Sequence, residues 1–214
     1  LKAMLDACDR PVSVKHRTGI DHQDSYQELC EFVGTLSEAG CNIFIVHARK
    51  AWLQGLSPKQ NREIPPLDYT RVHRLKADFP HLEIVVNGGI TTPEVCRQQL
   101  EMVDGVMIGR EAYHNPWMLA ETDRRLFQGA APFLSRHDIV QRMLPFVETE
   151  LARGTPLSRI TRHMLGLFHG QPGARAWRRQ LSENAWREQA DSGVILRAAA
   201  EVPETHLQSA LKII

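Results

Sequence analysis

Two glycine-rich segments follow short apolar runs in the first half of the sequence. Asn87-Gly88-Gly89 comes directly after Ile84-Val85-Val86, and Gly109-Arg110 comes after Val106-Met107-Ile108. Glycine lets backbone N–H groups approach an anion closely, and the N-terminus of a following helix adds partial positive charge. The two apolar runs joined through a capped helix predict a parallel βαβ unit. The spacing therefore predicts a phosphate-binding site.

Polar side chains also follow two earlier apolar runs. Lys15 and Arg17 close a short alternating run, and His47 and Arg49 follow the apolar run at residues 43–46. Parallel strands of a barrel bring their carboxyl ends to one face, where ligands bind. Each residue alone is more often surface or structural than functional. Four successive strands that end in groups able to bind a phosphate or an electron-rich ring favour a common site.

The elements that position these residues alternate along the chain. Strand-like runs lie at residues 12–15, 43–46, 84–86 and 106–108, and helices with caps and apolar periodicity begin near residues 25, 68 and 92. Such alternation is typical of a parallel sheet, and the loops after the last two strands of a (β/α)8 barrel form its usual phosphate site. We expect an α/β fold in which residues 1–130 form the C-terminal half of a TIM barrel with four parallel strands.

The pattern changes near residue 130. Gly129-Ala130-Ala131 and Pro132 predict a linker, and the remainder of the chain has helical periodicity without a convincing strand. Apolar residues predict one helix from Ile139 to Val147, a second from Ile160 to Phe168, a third opened by Pro172 and a short last one after Gly193. We expect a small all-α helical bundle over residues 131–200 and a loose tail over 201–214.

Composition excludes several classes of protein. The 214 residues are 43% hydrophobic and 24% charged with a formal net charge of +1, which is typical of a globular chain. No apolar run approaches the roughly 20 residues of a membrane span, and no signal peptide opens the sequence. The four scattered cysteines lack metal-binding spacing and indicate free thiols in a reducing, cytoplasmic setting. The first residue, Leu1, lies in a helix-like segment, which indicates a piece of a longer protein.

Five ordered strings resemble the tRNA-dihydrouridine synthases, and most closely their bacterial A subfamily, which acts at U20 and U20a of the D-loop. The strings are Val14-Lys15-His16-Arg17, Val46-His47-Ala48-Arg49-Lys50, Ser57-Pro58-Lys59-Gln60-Asn61-Arg62-Glu63, Val86-Asn87-Gly88-Gly89-Ile90 and Asp104-Gly105-Val106-Met107-Ile108-Gly109-Arg110. The similarity covers essentially the whole chain. It implies an FMN-binding (β/α)8 barrel followed by a helical domain that helps to grip tRNA.

The resemblance implies roles for several residues. FMN would lie across the barrel mouth, with the charge of Lys15 by its pyrimidine edge and His47 also in contact. Its phosphate would be held by the backbones of Asn87, Gly88, Gly89 and Gly109 and by the backbone and side chain of Arg110. In the family, NADPH reduces FMN, a hydride passes to C6 of uracil, and a cysteine from the first half of the barrel protonates C5. Cys8, Cys30, Cys41 and Cys96 lie away from the strand ends, so no catalytic acid is expected in this chain and we do not expect it to catalyse the reaction alone.

The resemblance also implies tRNA contacts, from Lys59 and Arg62 in the long loop after the second strand and from Arg175 and Arg178 in the bundle. Arg49 and its neighbour Lys50 are weaker candidates. The partner would be tRNA, with no metal or membrane, and the whole protein would act as a monomer. Two alternatives stay open: a phosphate- or FMN-binding barrel that acts on a small molecule, and a non-catalytic tRNA-binding fragment. The basic bundle and the basic loop argue against the first.

Overall fold

A parallel sheet with helices forms the first part of the chain, and helices form the second. The computed structural model describes residues 1–127 and 134–204. The chain divides into two compact units, Leu1–Gly109 and Arg110–Ile214. The linker expected at residues 129–132 and the end of the predicted tail lie outside the described residues.

The first unit alternates strands and helices in the expected order. Its elements are α1 (Lys2–Ala7), β1 (Ser13–Arg17), α2 (Tyr26–Glu38), β2 (Ile43–His47), a short 3-10 helix (Gln60–Arg62), α3 (Tyr69–Asp78), β3 (Glu83–Asn87), α4 (Pro93–Leu100) and β4 (Gly105–Met107). All strand pairs are parallel, in the order β1-β2-β3-β4. In the part of the chain described, β1 pairs with β2 alone. The predicted α/β class with four parallel strands is confirmed.

Local side chains account for where these helices begin. Ser25 accepts a hydrogen bond from the backbone N–H of Glu28, whose carboxylate in turn accepts one from the Ser25 N–H. This reciprocal capping box satisfies two donors that a helix start leaves open. Asp68 and Thr92 cap α3 and α4 in a similar way, and Pro93 opens α4. The predicted helix starts are confirmed.

The sheet buries one face under its helices. Phe44, Val46, Ile84 and Val86 are fully buried, and α3 packs on β3 as α4 packs on β4. The alternate residues of the same strands, such as Val85, are only half-buried. Since successive strand residues point to opposite faces, the second face is left to carry polar side chains at the ends of the strands.

Within residues 110–127 and 134–204, the second unit contains helices and no strand. They are α5 (Arg110–His114), α6 (Trp117–Leu126), α7 (Arg136–Ala152), α8 (Leu157–Thr161), α9 (Ala174–Asn184) and α10 (Gly193–Ala200). Trp177 and Phe168 meet edge to face at the centre of its core, 4.8 Å between ring centroids. This unit starts about twenty residues before the expected boundary at 130, since α5 packs within it: the Tyr113 hydroxyl lies 3.0 Å from Nδ1 of His163.

The helix predicted from Ile160 to Phe168 is wrong for most of its length. The α-helix ends at Thr161, and the backbone continues in tighter turns such as the 2.9 Å bond from the Met164 N–H to the Thr161 carbonyl. The His114 carbonyl occupies the space that a side chain at Gly166 would need. The chain therefore bends where α5 approaches it, while Ile160 and Phe168 are buried as their spacing predicts.

Two kinds of feature are absent from residues 1–127 and 134–204. None of the helices there is both long enough and apolar enough to cross a membrane. No group of three or more metal-binding side chains comes together in the same residues.

Candidate functional site

The register of the sheet places three predicted positions side by side at its carboxyl end. Arg17 lies opposite His47, and His47 lies opposite Asn87. Lys15 is two residues earlier on β1 and therefore shares the face of Arg17. Arg17, His47 and Asn87 form a polar row on the face that α2, α3 and α4 do not cover, and Lys15 lies on the same face next to the row.

The turn after β3 requires glycine at two positions in succession. Gly88 and Gly89 have φ of +108° and +68°. A Cβ added at Gly88 would lie 2.6 Å from Cδ2 and 2.9 Å from Nε2 of His47, and one at Gly89 would overlap Leu67 and lie 2.9 Å from the Tyr69 hydroxyl. Both the backbone conformation and the close approach of neighbours exclude a side chain here. The predicted glycine turn is therefore packed directly against the predicted flavin contact His47.

Tyr69 holds this turn from the first turn of α3. Its hydroxyl donates a 2.6 Å hydrogen bond to the Gly88 carbonyl, and its ring stacks on His73, whose Nε2 lies 2.9 Å from Oε1 of Gln99. Burial raises the pKa of Tyr69, against a smaller opposing effect of Arg49, so the hydroxyl keeps its proton. The spacing of Tyr69 in the sequence contains no signal for this bond.

The end of β4 is open by comparison. The Asn87 side-chain amide donates to the Met107 carbonyl at 2.8 Å and so ties β3 to β4. A Cβ at Gly109 would meet nothing closer than that amide nitrogen, at 4.0 Å. Gly109 is exposed and ends the first unit, and Arg110 is exposed and begins the second. The space beside Gly109 is therefore open, whereas the Cα of Gly88 packs against His47 and Leu67.

Positive charge is concentrated along this row. Partial burial lowers the pKa of Lys15, and the nearby charge of Arg17 lowers it further. Burial also lowers the pKa of Arg17, with additional contributions from Arg49 and Arg62. Each shift means that the cations repel one another in a setting with reduced hydration. A bound anion would offset that repulsion, so the electrostatics favour an anionic ligand.

The long loop at residues 51–66, here called the basic loop, is docked on the same end of the sheet. One Arg17 guanidinium nitrogen donates to the carbonyls of Lys50 and Asn61, at 2.9 and 2.8 Å. The Asn61 side chain accepts a hydrogen bond from the backbone N–H of Trp52 at 2.8 Å and donates one to its carbonyl at 2.5 Å. Sequence reasoning did not identify Asn61, which closes the loop on itself.

The cations predicted to meet tRNA in this unit differ in their surroundings. Arg49 donates to the carbonyls of Glu63 and Pro65, and Lys50 forms a 2.6 Å ion pair with Asp24. Lys59 and Arg62 are exposed, immediately before and at the end of the short 3-10 helix. Arg49 and Lys50 therefore help to hold the basic loop, while Lys59 and Arg62 extend from it. A contact of any of these residues with tRNA stays a prediction.

The second unit presents its predicted pair on α9. Arg175 and Arg178 are exposed, while Trp177 and Leu181 of the same helix are buried in the core. The amphipathic character of α9 separates its core side from a basic outer side.

The four cysteines lie away from the carboxyl ends of the strands. Cys30 lies on α2 and Cys96 is buried on α4, while Cys8 follows α1 in an extended conformation instead of lying within the helix. Cys41 is buried just before β2, with its sulfur 3.4 Å from the Ile43 carbonyl oxygen. That none of them serves as the catalytic acid stays a prediction.

The chain matches the family described as dihydrouridine synthase over residues 1–206. It is 53% identical over 206 residues to the tRNA-dihydrouridine(20/20a) synthase of Vibrio cholerae, covering 96% of this chain and 63% of the relative. It is 56% identical to the protein of that name from Escherichia coli K12, with coverage of 92% and 58%, and 53% identical to that of Yersinia pestis, with coverage of 98% and 61%.

The chain thus spans about three fifths of the length of the curated relatives that it matches. The matched family model extends over both compact units and contains every predicted site residue from Lys15 to Arg178. The chain belongs to the dihydrouridine synthase family.

Proposed function

We propose that this chain is the C-terminal part of a tRNA-dihydrouridine synthase that reduces D-loop uridines at positions 20 and 20a. Relatives that are 53% and 56% identical carry that name. The single observation that carries the proposal is the row of Arg17, His47 and Asn87, in register at the carboxyl end of a parallel sheet and followed by the Gly88-Gly89 turn. This end of a barrel sheet is where such folds bind their ligands.

The residues in the first unit fit FMN as cofactor. Crowded cations at Lys15 and Arg17 favour an anion, and the open backbone at Gly109 leaves room for a phosphate. FMN, when bound, supplies hydride transfer to C6 of uracil, and NADPH is the proposed reductant. The protein's part in such chemistry is to bind, orient and tune the cofactor.

The proposed roles follow from position on the sheet. Lys15 addresses the pyrimidine edge of the flavin with positive charge, and His47, packed on Gly88, contacts the cofactor beside it. Backbone at Asn87, Gly88, Gly89 and Gly109 binds the phosphate. The resemblance adds Arg110, the first residue of the second unit, as a charged phosphate contact.

A uridine in folded tRNA must be withdrawn from its stack and held in a pocket, so the enzyme needs cations that grip the surrounding backbone. We assign that role to Lys59 and Arg62 on the basic loop and to Arg175 and Arg178 on α9, all of which are exposed. Arg49 is a further candidate. The protein would act as a monomer in the cytoplasm.

The proton for C5 of the uracil is assigned to a cysteine outside this chain. The cysteines of the chain lie on helices or away from the strand ends. We therefore expect the chain alone to bind FMN and tRNA and to produce no dihydrouridine.

Two measurements on the purified 214-residue chain test the proposal. Titration with FMN is expected to quench flavin fluorescence, and the double variant Lys15→Ala/His47→Ala is expected to weaken that binding at least tenfold. Lys59→Ala is the matched control, since Lys59 is exposed on the basic loop and is expected to leave FMN affinity unchanged while weakening tRNA binding. Absence of saturable FMN binding by the wild type would refute the flavin proposal.

A binding assay with unmodified tRNA separates the proposal from a small-molecule flavin enzyme. Replacing Arg175 and Arg178 with alanine is expected to weaken tRNA binding and to lower its dependence on salt. A chain that binds FMN and has no salt-dependent affinity for tRNA would favour the small-molecule alternative.

A further inference from the structure

One tryptophan of the chain is exposed. The Trp186 side chain is 70% exposed, whereas Trp177 is fully buried. Trp117 lies under the guanidinium of Arg136, 4.2 Å from its carbon, and the backbone of Trp52 is held by the Asn61 side chain. Trp186 makes no ring contact or hydrogen bond through its side chain with the residues described. A large aromatic ring left in water is an unusual feature of a closed domain surface.

Trp186 lies two residues beyond the end of α9, whose outer side is basic. Arg175, Arg179, Ser182 and Trp186 follow one another at intervals of four, three and four residues. At about 3.6 residues per turn this spacing puts Arg175, Arg179 and Ser182 on one side of α9, and Trp186 follows in the next turn. The backbone remains helical at Ala185, and the Arg187 N–H bonds to the Asn184 carbonyl at 3.3 Å, so a turn directly after α9 holds Trp186.

The charge on this side of the helix is not neutralised within the described residues. Arg175, Arg178 and Arg179 are exposed and make no ion pair or hydrogen bond there through their side chains. Glu183 is the one carboxylate on α9, and it directly follows Ser182. The surface combines an exposed flat ring with several free guanidinium groups. That combination is what single-stranded nucleic acid requires, since its bases stack on aromatic rings and its phosphates bind cations.

We propose that Trp186 stacks on an unpaired base of the bound RNA while Arg175 and Arg179 bind the phosphates beside it. The inference rests on the proposed function, because it identifies how the second unit holds the tRNA. A protein partner is less favoured, because the exposed residues that precede Trp186, namely Arg179, Ser182 and Glu183, are polar or charged and offer no apolar rim.

The test compares Trp186→Ala, Trp186→Phe and Arg179→Ala by measuring the Kd of the chain for unmodified tRNA at several salt concentrations. Phe146→Ala is the matched control, since Phe146 is also an exposed aromatic residue of this unit, at 52%, but lies on α7. Stacking on one base predicts that Trp186→Ala raises the Kd roughly 5- to 160-fold with the salt slope unchanged, and that Trp186→Phe retains most of the affinity. Arg179→Ala is expected to reduce the slope by about one.

The possible failures are distinguishable. If Trp186→Ala binds tRNA as tightly as Phe146→Ala does, while the Arg175/Arg178 double variant binds weakly, the stacking inference is overturned and the proposed function stands. If the wild type shows no affinity for tRNA, both are overturned. Tryptophan fluorescence gives an independent readout. The emission of Trp186 is the part that the Trp186→Phe variant lacks, and tRNA should quench it. If a soluble quencher cannot reach Trp186 before RNA is added, the ring is in contact with protein and the inference is refuted.

Discussion

Replacing Gly88 with alanine tests how the glycine turn and His47 depend on each other. Gly88 has φ of +108°, and an added Cβ would lie 2.6 Å from Cδ2 of His47 and 3.1 Å from a methyl carbon of Leu67. The methyl group cannot occupy this space unless the imidazole moves. The substitution is therefore expected to weaken the fold and the proposed flavin contact together.

The magnitude follows from two contributions. A left-handed backbone conformation costs an L-residue roughly 1–2 kcal/mol. Forcing an extra methyl group into a packed site costs typically about 1–3 kcal/mol. The unfolding free energy should therefore fall by about 2–5 kcal/mol, which a domain with a stability of about 5–15 kcal/mol can survive.

Two other glycines separate these contributions. Gly55 has φ of +83° and open space around it, so Gly55→Ala should cost only the backbone term of roughly 1–2 kcal/mol. Gly109 lacks a positive φ, and its nearest neighbour would be 4.0 Å away, so Gly109→Ala should change stability by no more than about 0.5 kcal/mol. Because its backbone is proposed to approach the phosphate, Gly109→Ala should nevertheless weaken FMN binding.

Urea unfolding and FMN titration of the three variants provide the assay. Gly88→Ala should lose both stability and FMN affinity, Gly55→Ala stability alone, and Gly109→Ala affinity alone. If Gly88→Ala is no less stable than Gly55→Ala, the packing of His47 against the turn is wrong. If Gly109→Ala binds FMN like the wild type, the phosphate does not approach the end of β4.

Three further substitutions test single interactions. Tyr69→Phe removes the hydrogen bond to the glycine turn and should weaken FMN binding about 2- to 12-fold in titrations, with an unchanged circular dichroism spectrum. Burial alone would raise the pKa of Asp104, but hydrogen bonds from a β3 backbone N–H and from Lys76 lower it overall. Because the pKa of Asp104 is lower in the folded state than in the unfolded state, its carboxylate stabilises the fold above about pH 4, and this stability is lost as the pH falls. In Asp104→Asn, the urea concentration at the midpoint of unfolding should therefore decrease less between neutral and acid pH than in the wild type. An equal decrease in both proteins would contradict this. Asn61→Ala releases the basic loop, and trypsin should cut there several times faster than in the wild type; equal rates would show that other contacts hold it.

Much of the first unit could be predicted because its signals are local. The hydroxyl of Ser25 or Thr92 caps a helix only a few residues away, and an uninterrupted apolar run such as that ending at Val46 marks a strand buried among others. Strand ends follow from the same local pattern. Since parallel strands share one carboxyl end, the grouping of His47 with Asn87 also follows from sequence.

The remaining features depend on contacts between distant residues. The bond from Tyr69 to Gly88 joins residues 19 apart, and that from Arg17 to Asn61 joins residues 44 apart. No spacing rule connects such pairs. The division after Gly109 and the shortened helix at Thr161 have the same origin, because both depend on where α5 packs and not on the residues at those positions.

Three consecutive basic residues of β1, Lys15, His16 and Arg17, show how charge fixes the register of this strand relative to the site. Alternation directs Lys15 and Arg17 to the open face and His16 to the helix side, where its ring packs against Phe32 and Phe44 with centroids 5.1 and 6.0 Å away. Burial lowers the pKa of His16, and its hydrogen bond to the Arg17 carbonyl opposes that effect in part. Of the three side chains, His16 is therefore the one that loses its charge most easily when it is buried. A register shift of one residue would place lysine and arginine under α2, where charged groups are costly. The order Lys-His-Arg therefore selects the register that sends both permanent charges to the ligand face.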